Sequence, residues 1–111
     1  DMKKILFLIT IFCSSFAFSQ NKGKDYTIRT VAFYNLENLF DFEDYPNTHD
    51  NDFLPRSEKK WTPKRYKNKL RKLGFAISNI GKKETGKHPA IVGLAEVENA
   101  KAIEDLIASI P

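Results

Sequence analysis

Two short apolar runs constrain the fold of this chain more than any other feature. Ile28 to Tyr34 is rich in β-branched and aromatic residues, and Ala90 to Ala95 is a second continuous apolar run. Runs of this length without polar alternation are typical of strands that are buried on both faces. Such strands need a layer of structure on each side, so the sequence predicts a layered α/β fold.

The segments that follow these two runs predict two amphipathic helices. Thr62 and Pro63 are typical of a helix N-cap and a first helical residue, and Gly81 is typical of a helix end. Asn99 is expected to cap the second helix, which follows the second strand. In both helices apolar residues recur at steps of three and four. The two apolar faces comprise Tyr66, Leu70, Leu73, Ile77 and Ile80 in the first helix, and Ile103, Leu106, Ile107 and Ile110 in the second.

The N-terminus has the features of an export signal. Lys3 and Lys4 precede an apolar run at residues 5–12, and serines and other small residues follow. We therefore predict a signal peptide at residues 1–19 and a flexible lead-in at residues 20–27. The run is shorter than the ~20 residues that a spanning helix needs, so no stable membrane span is expected after signal removal. The mature protein is expected to be secreted or periplasmic.

Cysteine content and charge add limits on the mature protein. The only cysteine, Cys13, lies in the predicted signal peptide, so no intrachain disulfide is expected after export. A lipid-modified Cys13 is the alternative, but the bulky Phe12 stands where such a site normally has a small residue. The formal net charge falls from +4 to +3 when Asp1, Lys3 and Lys4 are removed with the signal peptide, and such a mild excess neither requires nor excludes a polyanionic partner. No pattern in the sequence indicates an oligomeric state.

The segment between the first strand and the first helix, residues 42–61, is predicted to be a long loop. It contains a cluster of acidic and amide side chains between Asp44 and Asp52. These oxygens are numerous enough to bind Ca²⁺, but the loop lacks the central glycine and final glutamate of an EF-hand. We expect a solvated loop, with a Ca²⁺ site at Asp44–Asp52 as the alternative.

Each apolar strand is followed by a side chain that carries an oxygen atom. Asn35 follows the first strand and Glu96 follows the second. Reactive groups gather at strand ends in layered α/β structures, and a carboxylate there is a suitable Mg²⁺ ligand. An asparagine beside it can orient a phosphate without adding negative charge. The alternative is that Glu96 is a solvated loop residue and that Asn35 is a turn former.

The segments RTVAFYNLENLFD and HPAIVGLAEVEN, at residues 29–41 and 88–99, resemble the first two motifs of the endonuclease/exonuclease/phosphatase superfamily. More narrowly, the chain resembles a secreted bacterial branch, and the resemblance extends from residue 29 to about residue 107. It implies a four-layered α/β sandwich, with two packed β-sheets flanked by helices and a divalent metal, Mg²⁺ or Mn²⁺, at one edge. Residues 28–111 would be the N-terminal part of that domain.

The resemblance also assigns roles to individual residues. Asn35 matches an asparagine that helps to order the metal and the phosphate, and Glu96 matches a metal-ligating glutamate. Both are therefore candidate catalytic and metal-binding residues. Other polar residues of the two motifs have no general catalytic role to transfer, and we interpret them as turn formers, caps or solvated charges. They are Glu37, Asn38, Asp41, Glu98 and Asn99.

The family's remaining catalytic groups have no counterpart in these residues. They are a histidine in mid-domain, an aspartate and asparagine pair, and a final aspartate and histidine pair. His49 and His88 match none of these positions and are expected at the surface. The fragment alone is therefore expected to be inactive.

For the full-length protein, the resemblance implies metal-assisted hydrolysis of a phosphoester. An exported endonuclease or phosphodiesterase acting on nucleic acid is the favoured interpretation, because scavenging extracellular nucleic acid suits an exported enzyme of this branch. Two alternatives stay open. One is a phosphatase or a lipid-head-group phosphodiesterase of the same superfamily, and the other is a non-catalytic secreted binding protein on this fold.

Overall fold

The structure is a computed structural model that describes residues 1–14 and 23–111. The end of the predicted signal peptide and the start of the predicted lead-in lie outside the described residues. Within the described part of the chain, no helix is long and apolar enough to cross a bilayer. The elements in chain order are α1 (Met2–Ser14), β1 (Val31–Leu39), a 3₁₀ helix (Asn51–Phe53), α2 (Pro63–Asn79), α3 (Lys82–Thr85), β2 (Ile91–Val97) and α4 (Ala100–Ala108).

β1 and β2 form a parallel two-stranded sheet, connected by a segment that contains α2. The register pairs Val31 with Ile91 and Asn35 with Ala95. Parallel strands need a crossover of this kind, commonly a helix. The α/β class predicted from the sequence is confirmed. Because the strands are parallel, their carboxyl ends lie at the same edge of the sheet.

The strand boundaries differ from the prediction. β1 begins at Val31 rather than Ile28 and continues past Asn35 to Leu39, and β2 ends at Val97, one residue beyond Glu96. The pairing is interrupted between Asn35 and Leu39 and resumes where Leu39 pairs with Val97. A bulge of this kind lets the chain bend and then return to the ladder. Asn35 and Glu96 therefore lie within the strands, towards their carboxyl ends, and not after them.

The predicted burial of both strand faces is not seen in the described residues. Val31 and Phe33 are 72% and 73% exposed, and Ile91, which pairs with Val31, is 64% exposed. Residues of the opposite face, including Tyr34 and Leu94, pack against the buried core. This core receives side chains from both α2 and α4, so only one face of the sheet has a helical layer over it.

α2 forms where its end signals predicted it. The side chain of Thr62 accepts a hydrogen bond from Arg65 N at 3.3 Å, which is the expected N-cap contact. The helix ends at Asn79, and Gly81 follows in the left-handed conformation with φ +68°. Most of the predicted apolar face is buried. The buried residues of α2 are Tyr66, Leu70, Gly74, Ile77 and Ser78.

α2 and α4 approach closely where Gly74 meets the end of α4. A Cβ atom at Gly74 would lie 2.7 Å from Ser109 Oγ, so no larger residue fits there without a shift. Ser109 Oγ donates a hydrogen bond to the carbonyl of Leu70 at 3.0 Å. This contact fixes the spacing of the two helices on the sheet.

α4 is capped by Asn99, as predicted. Asn99 Oδ1 accepts a hydrogen bond from Ala102 N at 2.9 Å. The predicted apolar face is only partly correct, because Leu106 is 2% exposed whereas Ile107 is 62% exposed. The core contact runs along Ala102 and Leu106, one turn apart, and Ile107 is rotated ~100° away from that line.

The segment from Phe42 to Trp61 is anchored by a few buried and half-buried side chains, although most of its residues are exposed as predicted. Trp61 is buried, and its Nε1 donates to the carbonyl of Phe40 at 2.8 Å. The ring of Phe53 stacks on that of Phe40 with centroids 4.2 Å apart. Apolar residues within the loop supply this packing, which a loop of 20 residues needs to hold one conformation inside a domain.

Candidate functional site

The structure brings Asn35 and Glu96 together at the carboxyl edge of the sheet. Asn35 Nδ2 donates a hydrogen bond to Glu96 Oε1 at 3.0 Å, although the two residues are 61 positions apart in the sequence. The contact follows from the parallel register, which pairs Asn35 with Ala95, the residue before Glu96. Both residues are exposed, so solvent and ligands can reach them.

A tight turn after Asn35 supplies a second contact to Glu96. Asn35 Oδ1 accepts a hydrogen bond from Glu37 N at 2.8 Å, which begins the turn. Asn38 N then donates to Glu96 Oε2 at 3.1 Å. Each oxygen of the Glu96 carboxylate therefore accepts one hydrogen bond, and the plane of the carboxylate is fixed from two directions.

Three residues of this edge have the left-handed backbone conformation although none is glycine. The φ angles are 53° at Glu37, 58° at Asn38 and 59° at Glu96. Asparagine tolerates this region, but glutamate does so at a cost of ~1–3 kcal/mol per residue. Backbone strain of this kind concentrates at functional sites, so its presence on both sides of the Asn35 and Glu96 contact favours a functional edge.

The side chains at this edge fit a Mg²⁺ or Mn²⁺ ion that takes only one or two ligands from the protein. They do not form a site in which the protein supplies all the ligands. Among the described residues, no group of three or more histidine, cysteine or carboxylate side chains is arranged to hold a metal. Glu96 offers one exposed carboxylate, and each of its oxygens keeps a free lone pair beside its single hydrogen bond. Mg²⁺ is commonly bound by one or two carboxylates and completes its shell with water and substrate phosphate oxygens.

A groove of about 240 Å³ opens beside Asn35. It is lined by β1 residues around Asn35 and by Lys69, Lys72 and Leu73 of α2. Lys69 Nζ donates to the carbonyl of Glu37 at 2.6 Å and lies 3.2 Å from that of Asn38. Burial lowers the pKa of Lys69, and the nearby carboxylates of Glu37 and Glu96 oppose that shift. Lys69 is not among the site residues predicted from the sequence. Its position directly before Leu70, at the border of the apolar face, was the available signal.

The second polar cluster of the motifs lies behind this edge and is centred on Asp41. The prediction of a turn former is right for Asp41, since its Oδ1 accepts from Glu43 N at 2.9 Å, but the alternative of a solvated charge is wrong. Asp41 is 1% exposed. Its Oδ2 accepts from Tyr45 OH at 2.9 Å and from Asn99 Nδ2 at 3.3 Å. These donors compensate for the burial of the carboxylate.

Glu98 belongs to the same cluster. Its Oε2 accepts a hydrogen bond from Asp41 N at 3.1 Å, whereas its Oε1 is buried without a hydrogen-bond partner. Burial raises the pKa of Glu98, and the neighbouring negative charges of Asp41 and Asp50 act in the same direction. Glu98 is therefore a half-buried side chain that contacts the backbone at Asp41, and not a solvated charge.

The Tyr45 hydroxyl is expected to stabilise the fold through Asp41. We predict that Tyr45→Phe lowers the free energy of unfolding by ~1–3 kcal/mol, because it leaves a buried carboxylate oxygen with a single, longer hydrogen bond. Urea denaturation followed by circular dichroism measures this. Tyr26→Phe is the matched control, because Tyr26 is exposed. Equal effects of the two substitutions would contradict the prediction.

The other candidate ligands lie away from the edge occupied by Asn35 and Glu96. In the Asp44–Asp52 loop, Asp44 forms an ion pair with Arg56, and Asp50 is buried and accepts from Tyr45 N at 3.1 Å. Among the described residues, no group of three or more histidine, cysteine, aspartate or glutamate side chains could hold a metal ion, so the structure does not support the Ca²⁺ alternative. His49 and His88 are exposed.

Comparison with known protein families gave a match over most of the chain. The model of a family described as Endonuclease/Exonuclease/phosphatase family matches residues 30–110. This segment includes nearly all of the α/β unit, with both strands and the edge that carries Asn35 and Glu96. Neither the curated proteins nor the solved structures gave a significant match.

Proposed function

Because this chain belongs to the endonuclease/exonuclease/phosphatase family, a superfamily of phosphoester hydrolases, we propose that the full-length protein is an exported metal-dependent nuclease or phosphodiesterase. The observation that carries the proposal is the contact between Asn35 and Glu96, at 3.0 Å, at the exposed edge of a parallel sheet. An exposed carboxylate fixed on a rigid element is suited to holding a metal ion in one place.

In this proposal Glu96 holds Mg²⁺ or Mn²⁺, and Asn35 orients the carboxylate. When bound, the metal polarises a phosphoryl oxygen and stabilises charge that develops during in-line attack by water. Asn35 Nδ2 and Asn38 N hold the two oxygens of Glu96, so the carboxylate does not have to reorganise as substrate arrives. Asn35 is neutral and therefore does not repel a phosphate.

The groove and the outer face of α2 support nucleic acid as the favoured substrate. Lys69 and Lys72 line the groove beside Asn35. The outer face of α2 carries four further exposed cations, which attract a phosphate backbone over several nucleotides. They are Lys64, Arg65, Lys67 and Arg71. A phosphatase or a lipid-head-group phosphodiesterase would need only the charge close to Asn35 and is the second candidate.

The proposed fold of the full-length protein is the four-layered α/β sandwich. The open face of the sheet supports it, because Val31, Phe33 and Ile91 form a contiguous apolar surface that is exposed in the described residues. A second sheet packed face to face on this surface would bury it. The helices α2 and α4 would then form one of the two outer layers.

Export is supported by the N-terminal segment. α1 is apolar, with exposed side chains at Met2, Ile5 and Phe7, and its residues belong to the predicted signal peptide. We propose that the mature protein begins after residue 19 and functions in a secreted or periplasmic location. Comparing the N-terminal residue of the protein recovered outside the cytoplasm with that of the cytoplasmic precursor tests this step.

Metal removal is the decisive test of the proposed activity. The full-length protein is expected to nick supercoiled plasmid in the presence of Mg²⁺ or Mn²⁺, and to lose this activity completely in EDTA and regain it when metal is restored. Parallel assays with a generic phosphodiester and a phosphomonoester separate a nuclease from the phosphatase alternative. Hydrolysis that continues in EDTA would overturn the metal-dependent mechanism. Binding of nucleic acid without hydrolysis of any substrate would instead indicate the non-catalytic binding protein.

A further inference from the structure

Lys69 differs from the other basic residues of α2. Those residues are exposed, whereas Lys69 is half-buried. Its Nζ lies 2.6 Å from the carbonyl oxygen of Glu37 and 3.2 Å from that of Asn38, and it is 5.8 Å from the centre of the Trp61 ring. The side chain therefore crosses from the helix to the turn that follows Asn35, rather than extending into solvent.

The two carbonyl groups that Lys69 binds belong to the two consecutive left-handed residues of β1. Glu37 has φ 53° and Asn38 has φ 58°. Two such residues in sequence are unfavourable for L-amino acids, so the turn needs contacts from outside itself to persist. The hydrogen bond from Glu37 N to Asn35 Oδ1 is local to the turn. Lys69 supplies the contact from a separate and rigid element.

The conformation of this turn determines where the amide of Asn38 points. Asn38 N donates to Glu96 Oε2 at 3.1 Å, so a different turn would release one oxygen of the carboxylate. A continuous series of contacts thus leads from Lys69 through the Glu37 and Asn38 carbonyls to the Asn38 amide and Glu96.

We propose that Lys69 is a positioning residue that holds the turn at Glu37 and Asn38 and thereby orients the Glu96 carboxylate. A charged ammonium that donates to two carbonyl oxygens makes strong, charge-assisted hydrogen bonds. Neighbouring residues of α2 anchor its backbone, because Leu70 and Tyr66 are buried in the core. Burial disfavours the charged form of Lys69, and the two carbonyls compensate for the water that it loses. The consequence for metal binding rests on the proposed function, whereas the consequence for the turn does not.

The test compares Lys69→Met with Lys69→Arg and Lys72→Met in the full-length protein. Methionine keeps much of the apolar stem of Lys69 but removes the charge and the donors. Arginine keeps both. Lys72→Met is the matched control, because Lys72 lines the same groove and is exposed, and only Lys69 of the two binds the turn.

Two measurements are made on each variant. The first is hydrogen exchange of the Asn38 backbone amide by nuclear magnetic resonance, and the second is Mn²⁺ affinity by calorimetry. Lys69→Met is expected to accelerate Asn38 amide exchange about 10-fold and to weaken Mn²⁺ binding ~10-fold, within the range for loss of a residue that orients a metal ligand. Lys69→Arg is expected to keep most of the Asn38 amide protection and most of the Mn²⁺ affinity of the wild-type protein. Lys72→Met is expected to change neither the exchange rate nor the Mn²⁺ affinity.

The outcomes separate this proposal from the proposed function. If neither the wild-type protein nor any variant binds Mn²⁺, the proposed metal-dependent function is wrong. Accelerated exchange at Asn38 in Lys69→Met would still support the positioning role. Unchanged exchange and unchanged Mn²⁺ affinity in Lys69→Met would overturn the positioning role, even if KM for DNA rises, since that result would assign Lys69 to direct phosphate binding. Should Lys69→Met fail to fold, Lys69→Gln is expected to show the same two changes relative to the wild-type protein, and their absence there would overturn the proposal.

Discussion

Replacing Glu96 with glutamine in the full-length protein is expected to reduce metal-dependent phosphoester hydrolysis more than 100-fold, that is, beyond the ~10–100-fold that loss of a residue behind a metal ligand typically costs. The neutral amide is a weaker ligand for a hard cation than the carboxylate is. Glutamine also places an NH₂ donor where one of the two carboxylate oxygens was, so either Asn35 Nδ2 or Asn38 N would face a donor instead of an acceptor. The measurement is kcat/KM for plasmid nicking or for a generic phosphodiester, over a range of Mg²⁺ and Mn²⁺ concentrations.

Folding is expected to change little in the same variant. Glu96 is exposed, and exposed substitutions usually alter the free energy of unfolding by less than ~1 kcal/mol. Glu104→Gln is the matched control, because Glu104 is an exposed glutamate of α4 that lies outside the candidate site. Normal metal-dependent hydrolysis by Glu96→Gln would remove Glu96 from the mechanism. A large loss of stability would instead assign it a structural role.

The local parts of the candidate site were predictable from the sequence. Asn35 and Glu96 each follow a continuous apolar run, and such runs identify strands from residue type alone. Their direct contact depends on parallel pairing and on a register that joins Asn35 to Ala95. Register is normally set by the hydrophobic pattern and by the connection, and two continuous apolar runs joined by a long crossover leave it open in the sequence. The sequence therefore indicated the candidates, and the structure adds their geometry.

The left-handed backbone conformation of the turn between Asn35 and Leu39 could not be predicted from the sequence, for a different reason. Asn38 is a residue type that enters the left-handed region, but Glu37 and Glu96 are not, and each does so here. At Glu37 the turn receives a contact from a distant element, because Lys69 donates to the carbonyls of Glu37 and Asn38. Residue type predicts the average preference of a position, and strained sites depart from it.

Burial of charge was also underestimated. The sequence predicts that Asp41 is a turn former, a cap or a solvated charge, whereas an aspartate with suitable partners can also be buried. Its partners here are Tyr45, from the following loop, and Asn99, from the N-terminus of α4. Both contacts require the loop and the helix to be in place. A pairwise contact across 58 positions, as between Asp41 and Asn99, leaves no signature in a single sequence.

The apolar face of α4 provides the second large effect. Leu106→Ala is expected to lower the free energy of unfolding by ~2–5 kcal/mol, because Leu106 is 2% exposed and its removal leaves a cavity in the core shared with α2. Ile107→Ala is expected to change it by less than ~1 kcal/mol, because Ile107 is 62% exposed and alanine is the better helix former. Urea denaturation of the full-length variants measures both. The m value, the slope of the unfolding free energy against urea concentration, is expected to stay unchanged.

Helical periodicity alone does not distinguish these two neighbours, since both satisfy steps of three and four with other apolar residues of α4. What separates them is the line of contact with α2, which follows Ala102 and Leu106 and is fixed by the approach of Gly74 to Ser109. Equal losses in the two variants would mean that a further layer covers Ile107 and would restore the broader face predicted from the sequence. A loss confined to Leu106 would support packing of α4 along this single line, the arrangement in which Asn99, at the N-terminus of α4, donates to Asp41.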